Sequence, residues 1–217
     1  MEPHFYDRVE AGRLLASELR KYAARSNVQV LALPRGGVPI GFEVATELKA
    51  PLDVFLVRKL GVPGHEELAM GAIASGGVRV LNQDIIRRIA ISAEEIERVS
   101  AREKMELRRR ELVYRGDAPP TDVSGKIVIL VDDGIATGST MRAAVTALKR
   151  HSPERIVVGA PTAPRSCRKD LGPDFDELVT VAEPDPFYSV GQAYHIFDQT
   201  SDEEVRALLA EANRLCR

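Results

Sequence analysis

Short apolar segments alternate with longer amphipathic segments along most of the chain. The apolar runs are seven or eight residues long and rich in Val, Ile and Leu, and they predict buried strands over residues 28–34, 52–58, 126–133, 155–161 and 177–184. The segments between them have helical spacing and capping residues, and they predict helices over residues 7–25, 38–48, 82–89, 92–113, 139–150 and 165–171, with a last helix from Ser201. This alternation predicts an α/β fold with a mostly parallel central sheet covered by helices on both faces.

Three segments depart from the alternation. Residues 59–68, KLGVPGHEEL, combine Gly, Pro and Glu and predict a loop. Residues 69–81 are apolar and interrupted by Gly, which predicts a β-hairpin around Gly76 and Gly77. Residues 183–199 are rich in Pro and aromatic side chains and predict an irregular connection.

Composition and charge limit the classes of protein to which this chain can belong. The chain has 217 residues, 30 Lys and Arg against 32 Asp and Glu, and a net charge of −2, which argues against nucleic-acid binding through bulk charge. This length predicts one domain with a sizeable core. With two distant cysteines, no apolar leader and no apolar run approaching the ~20 residues of a membrane span, we expect a cytoplasmic protein.

The segment VILVDDGIATGST, residues 128–140, carries the clearest chemistry. A buried strand delivers Asp132 and Asp133 to its carboxyl end, and a turn rich in Gly and Thr leads into a helix. Such a turn presents backbone N–H groups and hydroxyls to a phosphate, aided by the positive end of the helix. The carboxylates suit hydroxyl groups or a hydrated Mg²⁺. Phosphate and diol on one ligand describe a ribose 5-phosphate.

At these residues the sequence resembles the type I phosphoribosyltransferases, whose motif is an apolar strand, two acidic residues, two variable residues and a small-residue–Thr–Gly–x–Thr turn. The resemblance implies that Asp132 and Asp133 are catalytic, hold the ribose hydroxyls of phosphoribosyl pyrophosphate (PRPP) and bind Mg²⁺ through water or PRPP. It also implies that one loop binds the 5-phosphate, formed by Gly134, Ile135, Ala136, Thr137, Gly138, Ser139 and Thr140.

The resemblance extends to other strand ends. Residues 32–41, ALPRGGVPIG, are similar to the pyrophosphate loop of the xanthine-guanine enzymes. The resemblance implies that Arg35, Gly36 and Gly37 bind pyrophosphate, that Arg35 is catalytic because it neutralises the leaving group, and that the loop has a cis peptide at Arg35–Gly36. Arg58 and Lys59 end the next predicted strand and are expected to neutralise departing pyrophosphate.

The remaining site residues also come from the resemblance. The loop after Lys59 matches the mobile lid of the family in position, and Glu66 or Glu67 in it is a candidate for proton transfer, with Glu67 taken as the catalytic one. Residues 183–199 resemble the base-proximal segment of hypoxanthine-guanine enzymes, in which Phe187 or Tyr188 would stack on the base. Ala136 replaces an Asp of those enzymes and matches the adenine enzymes instead, so the acceptor base stays open.

The resemblance implies a type I phosphoribosyltransferase fold in a single domain over 1–217, with a core over about 28–182, a lid over about 59–75, and a hood formed by about 183–199 with the N-terminal helix. A homodimer is expected on the same basis, as is transfer of the phosphoribosyl group to a nucleobase-like acceptor in nucleotide salvage. Two alternatives stay open. One is a regulator that senses PRPP and binds RNA. The other is a hydrolase or transferase acting on another phosphoribosyl compound.

One charged segment has no counterpart in the phosphoribosyltransferase motifs described above. The predicted helix over 94–111 alternates Glu with Lys and Arg and is typical of a solvated surface, but the run from Arg108 to Arg110 is also suited to an acidic partner or RNA.

Overall fold

A computed structural model describes residues 4–216, apart from the side chain of Glu67. Its strands are β1 (Val28–Ala32), β2 (Leu52–Val54), β3 (Val57–Val62), β4 (His65–Ala74), β5 (Arg79–Leu81), β6 (Ile127–Val131), β7 (Arg155–Thr162) and β8 (Glu177–Ala182). Its α-helices are α1 (Arg8–Glu18), α2 (Gly37–Leu48), α3 (Gln83–Ile89), α4 (Ala93–Arg115), α5 (Ser139–Leu148), α6 (Cys167–Leu171) and α7 (Asp202–Leu215).

Five strands form a parallel sheet in the order β2-β1-β6-β7-β8. The two central partners β1 and β6 are buried along their whole length, and Ala32 lies opposite Val131 at their carboxyl ends. This arrangement confirms the α/β class and the parallel sheet expected from the sequence.

The side chains of the sheet alternate between two apolar cores. Val30 and Ile129 pack in a core with residues of α1, α2 and α7. Leu31 and Leu130 point to the other face and pack with residues of α5 and α6. Because successive residues of a strand face opposite sides, continuous apolar strands require helices on both faces.

Residues 57–81 form a second, antiparallel sheet in the order β3-β4-β5. The prediction of a loop over 59–68 is wrong, since only Pro63 and Gly64 separate β3 from β4, and Gly64 has the positive φ of 76° that this turn needs. The hairpin predicted around Gly76 and Gly77 is present, because β4 and β5 pair across a turn at Ser75–Gly77. The prediction of one strand over 52–58 is also wrong, because this segment contains β2 and the start of β3, which lie in different sheets.

Helix ends follow the capping residues in the sequence. Ser92 and Glu95 form a reciprocal capping box at the start of α4, and the Ser201 hydroxyl accepts a hydrogen bond from the Glu204 N–H at the start of α7. No helix among residues 4–216 is long and apolar enough to cross a membrane.

The start of the described chain pairs with the segment that precedes α7. Phe5 pairs with Tyr194 in an isolated parallel bridge, and their rings lie 5.4 Å apart. Backbone N–H groups of His195 and Ile196 donate to the carbonyl oxygens of Phe5 and Tyr6. The division into core, lid and hood stays a prediction.

Candidate functional site

The acid pair Asp132–Asp133 directly follows β6, at the carboxyl edge of the parallel sheet. Oδ1 of Asp132 accepts the Asp133 N–H at 2.9 Å. Burial raises the pKa of Asp132 well above its ordinary value, and the neighbouring charge of Asp133 raises it further. Burial also raises the pKa of Asp133, although the guanidinium of Arg8 opposes that rise. Carboxylates of this kind gain from a ligand that brings donors or a cation.

Arg8, which belongs to no sequence motif, provides the principal partner of Asp133. Its Nε and Nη2 donate to Oδ2 of Asp133 at 2.9 and 2.8 Å, and the two side chains are only 13% and 15% exposed. The Arg8 guanidinium also lies 4.0 Å from the ring centroid of Phe197 and donates to the carbonyl of Asp198. Arg8 therefore ties α1 and residues 197–198 to the acid pair.

The loop between β1 and α2 packs directly against the acid pair. A Cβ at Gly36 would overlap Oδ2 of Asp133, and a Cβ at Gly37 would lie 2.9 Å from the Asp132 Cα. Only glycine permits this approach. The cis peptide of this loop joins Pro34 to Arg35, so its prediction at Arg35–Gly36 is wrong by one residue. The Arg35 guanidinium is turned toward Asp202 at 3.9 Å.

The turn that follows the acid pair leads into α5 through Gly138, whose φ of 70° is left-handed. The Ile135 side chain is buried and anchors the turn, while Thr137 and Ser139 are exposed with their hydroxyl oxygens 3.1 Å apart. The helix has no side-chain hydrogen bond at its N-cap. In its first turn the Ser139 N–H donates to Oγ1 of Thr137 at 3.4 Å, and a helix N-terminus beside such hydroxyls is suited to an anion.

A cavity of about 850 Å³ lies between the antiparallel sheet and α5. Lys59 of β3 lines it together with Thr137, Ser139 and Thr140 of the turn. The structure thus brings Lys59 to the same cavity as the predicted phosphate loop, although it reaches that cavity from a hairpin and not from the end of a parallel strand.

Arg58 does not lie where its prediction put it. It belongs to β3 and pairs with Glu103 of α4, with Nη2 and Oε2 2.7 Å apart. The prediction assumed that β2 continues to residue 58, whereas β2 ends at Val54. Glu67 lies in β4, but its side chain is outside the described part of the structure.

The predicted base-stacking residues lie in the connection before α7. Tyr188 is 82% exposed and Phe187 is partly buried, and neither ring contacts another aromatic ring or a cation among residues 4–216. Two other aromatic residues contact the acid pair or its partner: the Tyr194 hydroxyl donates to the carbonyl of Asp133 at 2.5 Å, and Phe197 stacks on Tyr194 and lies under the Arg8 guanidinium. Periodicity carried no signal for these two, because the segment is irregular.

The parallel sheet, with an acid pair and a glycine-rich turn at its carboxyl edge, places the chain among the α/β proteins, in which ligands bind beyond the strand ends. The phosphoribosyl transferase domain family matches residues 5–191. The chain therefore belongs to the phosphoribosyltransferase family, and its fold is that of the type I members.

Relatives agree with this assignment. A protein of Mycobacterium tuberculosis, named as a candidate phosphoribosyl transferase, is 45% identical over 97% of this chain and 47% of its own length. The chain thus spans about half the length of the curated relatives that match nearly all of it. The crystal structure of TT1426 from Thermus thermophilus is 40% identical, with a TM-score of 0.86 over 97% of this chain and 99% of that one. The bifunctional protein PyrR of Roseiflexus is 42% identical over 86 residues, 35% of this chain and 47% of that protein.

Proposed function

We propose that this domain transfers the 5-phosphoribosyl group of PRPP to a nucleobase-like acceptor and releases pyrophosphate. The observation that carries the proposal is the contact of Gly36 and Gly37 with Asp133 and Asp132, with the phosphate turn continuing directly from the same carboxylates. Groups suited to a diphosphate, a ribose diol and a terminal phosphate converge at one sheet edge. PRPP is the ligand that carries all three.

Each part has a distinct task in binding. The N–H groups at the start of α5 and the hydroxyls of Thr137, Ser139 and Thr140 bind the 5-phosphate. Asp132 and Asp133 accept hydrogen bonds from the ribose hydroxyls. Arg8 acts on the ligand only through Asp133, whose Oδ2 it holds in place. It is therefore a positioning residue.

The transfer breaks the bond from C1′ of the ribose to pyrophosphate, forms a bond from C1′ to a nitrogen of the acceptor, and releases the proton of that nitrogen to the departing pyrophosphate or to water. The transition state carries positive charge on the sugar and growing negative charge on the leaving group. The backbone at Gly36 and Gly37, together with the ammonium of Lys59, stabilises that negative charge. The chain itself contributes mainly orientation and electrostatics.

The residues present fit a bound Mg²⁺. The two carboxyl groups are adjacent and largely buried, and the negative charge of Asp133 raises the pKa of Asp132, so a cation bound between them would relieve this repulsion. Among residues 4–216 no three His, Cys, Asp or Glu side chains form a metal cluster. Mg²⁺ commonly binds one or two carboxylates plus substrate oxygens and water, which matches this donor set. When bound, the ion would neutralise the pyrophosphate of PRPP.

The acceptor is proposed only as nucleobase-like. Ala136 supplies no acid or base from the phosphate turn, and Tyr188 is too exposed to bury a base without moving. The 850 Å³ cavity beside Thr137 has room for a ligand of nucleotide size. A cytoplasmic location, a homodimer and a role in nucleotide salvage are proposed alongside the transfer activity.

Calorimetry with PRPP and MgCl₂ tests the binding site. We expect saturable binding that EDTA weakens and that Asp132→Asn/Asp133→Asn abolishes. The matched control is Asp117→Asn/Asp122→Asn, an equal charge change at two exposed residues outside the site. Equal PRPP affinity in the two double variants would overturn the site assignment.

Pyrophosphate release is then measured with adenine, hypoxanthine, guanine, xanthine, uracil and orotate. Release that depends on one base supports transfer and identifies the acceptor. Release without any base indicates the hydrolase alternative. PRPP binding without release in any mixture indicates the sensing alternative, and a gel shift with RNA then tests that alternative directly.

A further inference from the structure

Three arginines line one polar pocket bounded by the β1–α2 loop, α4 and the start of α7. Arg35, Arg109 and Arg110 surround a volume of about 270 Å³, together with Tyr114 and Asp202. Arg35 and Gly36 are consecutive but face different neighbours, since Gly36 packs on Asp133 whereas Arg35 faces Asp202. The pocket is therefore distinct from the site at the acid pair.

The helix that carries two of these arginines is firmly held. In its last turn, Arg115 pairs with Asp53 at 2.8 Å, and both side chains are nearly buried. The Tyr114 hydroxyl donates to Oδ1 of Asp202 at 2.7 Å, which joins α4 to the start of α7. Arg109 and Arg110 lie within two turns of these contacts, so they project into the pocket from a fixed backbone.

Glu106 aligns both guanidinium groups from one side. Its carboxylate accepts from Nε and Nη2 of Arg109 at 2.8 and 3.0 Å, and from Nε of Arg110 at 2.8 Å. Among the described residues, nothing accepts a hydrogen bond from the Nη groups of Arg110 or from any N–H of Arg35. These donors face the pocket with their hydrogen-bonding capacity unused.

The charge and the donor geometry select an anion. The pocket brings together three guanidinium groups and two carboxylates, those of Asp202 and Glu106, so its net charge is positive. Guanidinium forks bind phosphate oxygens in pairs. The volume is below the range typical of drug-sized ligands, which favours a compact anion.

We propose that this pocket binds a diphosphate group, carried by inorganic pyrophosphate or by a nucleoside diphosphate, independently of the acid-pair site. Within the run from Arg108 to Arg110, the proposal gives a binding role to Arg109 and Arg110 only, because Arg108 is exposed and does not line the pocket. It does not depend on the proposed transferase activity.

Calorimetric titration of the full chain with pyrophosphate, and separately with ADP, tests the proposal. Arg109→Gln/Arg110→Gln is expected to weaken binding by about tenfold or more, since it removes two of three guanidinium groups. Arg98→Gln/Arg108→Gln makes the same charge change at exposed positions of the same helix and is expected to leave the affinity unchanged. Thermal unfolding of both double variants verifies that they fold.

The titrations are repeated with saturating PRPP. Pyrophosphate is expected to bind still, and in an arginine-dependent manner. Binding of pyrophosphate alone identifies the free anion as the ligand, whereas binding of ADP as well identifies the diphosphate of a nucleotide. Equal affinities in the two double variants would overturn the proposal, as would complete competition by PRPP. If PRPP itself fails to bind, the proposed function is wrong. The pyrophosphate affinities of the two double variants still test the proposal of the arginine pocket in that case.

Discussion

Arg8 and Asp133 lie 125 residues apart in the chain, yet two N–H groups of one guanidinium bind a single carboxylate oxygen. The same oxygen lies where a side chain at Gly36 would have to be. One ion pair therefore joins α1 to the acid pair, against which the β1–α2 loop packs. The first two predictions follow from this arrangement.

Arg8→Gln is expected to lower the free energy of unfolding by about 3 kcal/mol, because it leaves the largely buried Asp133 carboxylate without its cation. Urea unfolding measures the change. Arg13→Gln, on the same helix, removes a pair with Glu43 in which Arg13 is 70% exposed, and it is expected to cost about 0.5 kcal/mol or less. Similar losses in both variants would contradict a special role for Arg8.

Gly36→Ala is expected to lower both stability and PRPP affinity, because the new methyl group overlaps the Asp133 carboxylate. The same substitution made on an Asp133→Ala background should cost less, since the overlapping atoms are gone. A double-mutant cycle of unfolding free energies should give a coupling of about 1 kcal/mol or more. Additive effects would mean that the loop does not pack on Asp133 as described.

Asp132→Asn is expected to raise the melting temperature of the ligand-free domain at pH 7.5 while weakening PRPP binding. Burial raises the pKa of Asp132 above its ordinary value of 3.8, so the folded state disfavours the carboxylate. The native group then costs stability as the pH rises above about 4, and the benefit of Asn should vanish as the pH falls toward 4.

Asp53→Asn is expected to have the opposite effect on the melting temperature, although Asp53 is also a buried carboxylate. Asp53 accepts hydrogen bonds from Arg115 and from the Thr121 hydroxyl, so its loss should lower the melting temperature. A stabilising effect of Asp53→Asn, or a destabilising one of Asp132→Asn, would contradict the distinction drawn between these two aspartates.

Cys167 is expected to resist iodoacetamide at pH 8, because its side chain is 2% exposed and burial raises the pKa of its thiol to about 11. Cys216 is exposed and should react. Mass spectrometry should find one modified cysteine in the native protein and two in urea. Labelling of both in the native protein would mean that α6 opens readily.

The part of the site that could be predicted from sequence is the part whose chemistry is local. In residues 128–140 the strand, the carboxylates and the glycine with positive φ are consecutive, so each constrains the next. Helix caps at Ser92 and Ser201 were predictable for the same reason.

The rest depends on contacts that no local pattern records. The apolar run over 52–58 continues through Phe55 and Leu56, which are both buried, while the backbone leaves one sheet for another. Hydrophobicity reports burial and not the identity of the pairing strand. Residues 59–68 looked like a loop because an antiparallel hairpin, whose outer face meets solvent, tolerates the polar residues found there. Arg8 carries no motif, and only the fold brings it to Asp133.

The bridge between Phe5 and Tyr194 has a consequence for biosynthesis. At roughly 5–20 residues per second, a ribosome makes residue 194 about 10 to 40 s after residue 5. Throughout that interval the N-terminal segment exists without its partner, and Arg8 lacks the carbonyl of Asp198 and the ring of Phe197. A nascent chain therefore has all the strands of its parallel sheet by residue 182, about 1 to 3 s before the residues that close the candidate site are made. Premature termination between residues 182 and 194 would yield a polypeptide that has every strand but an unfinished site.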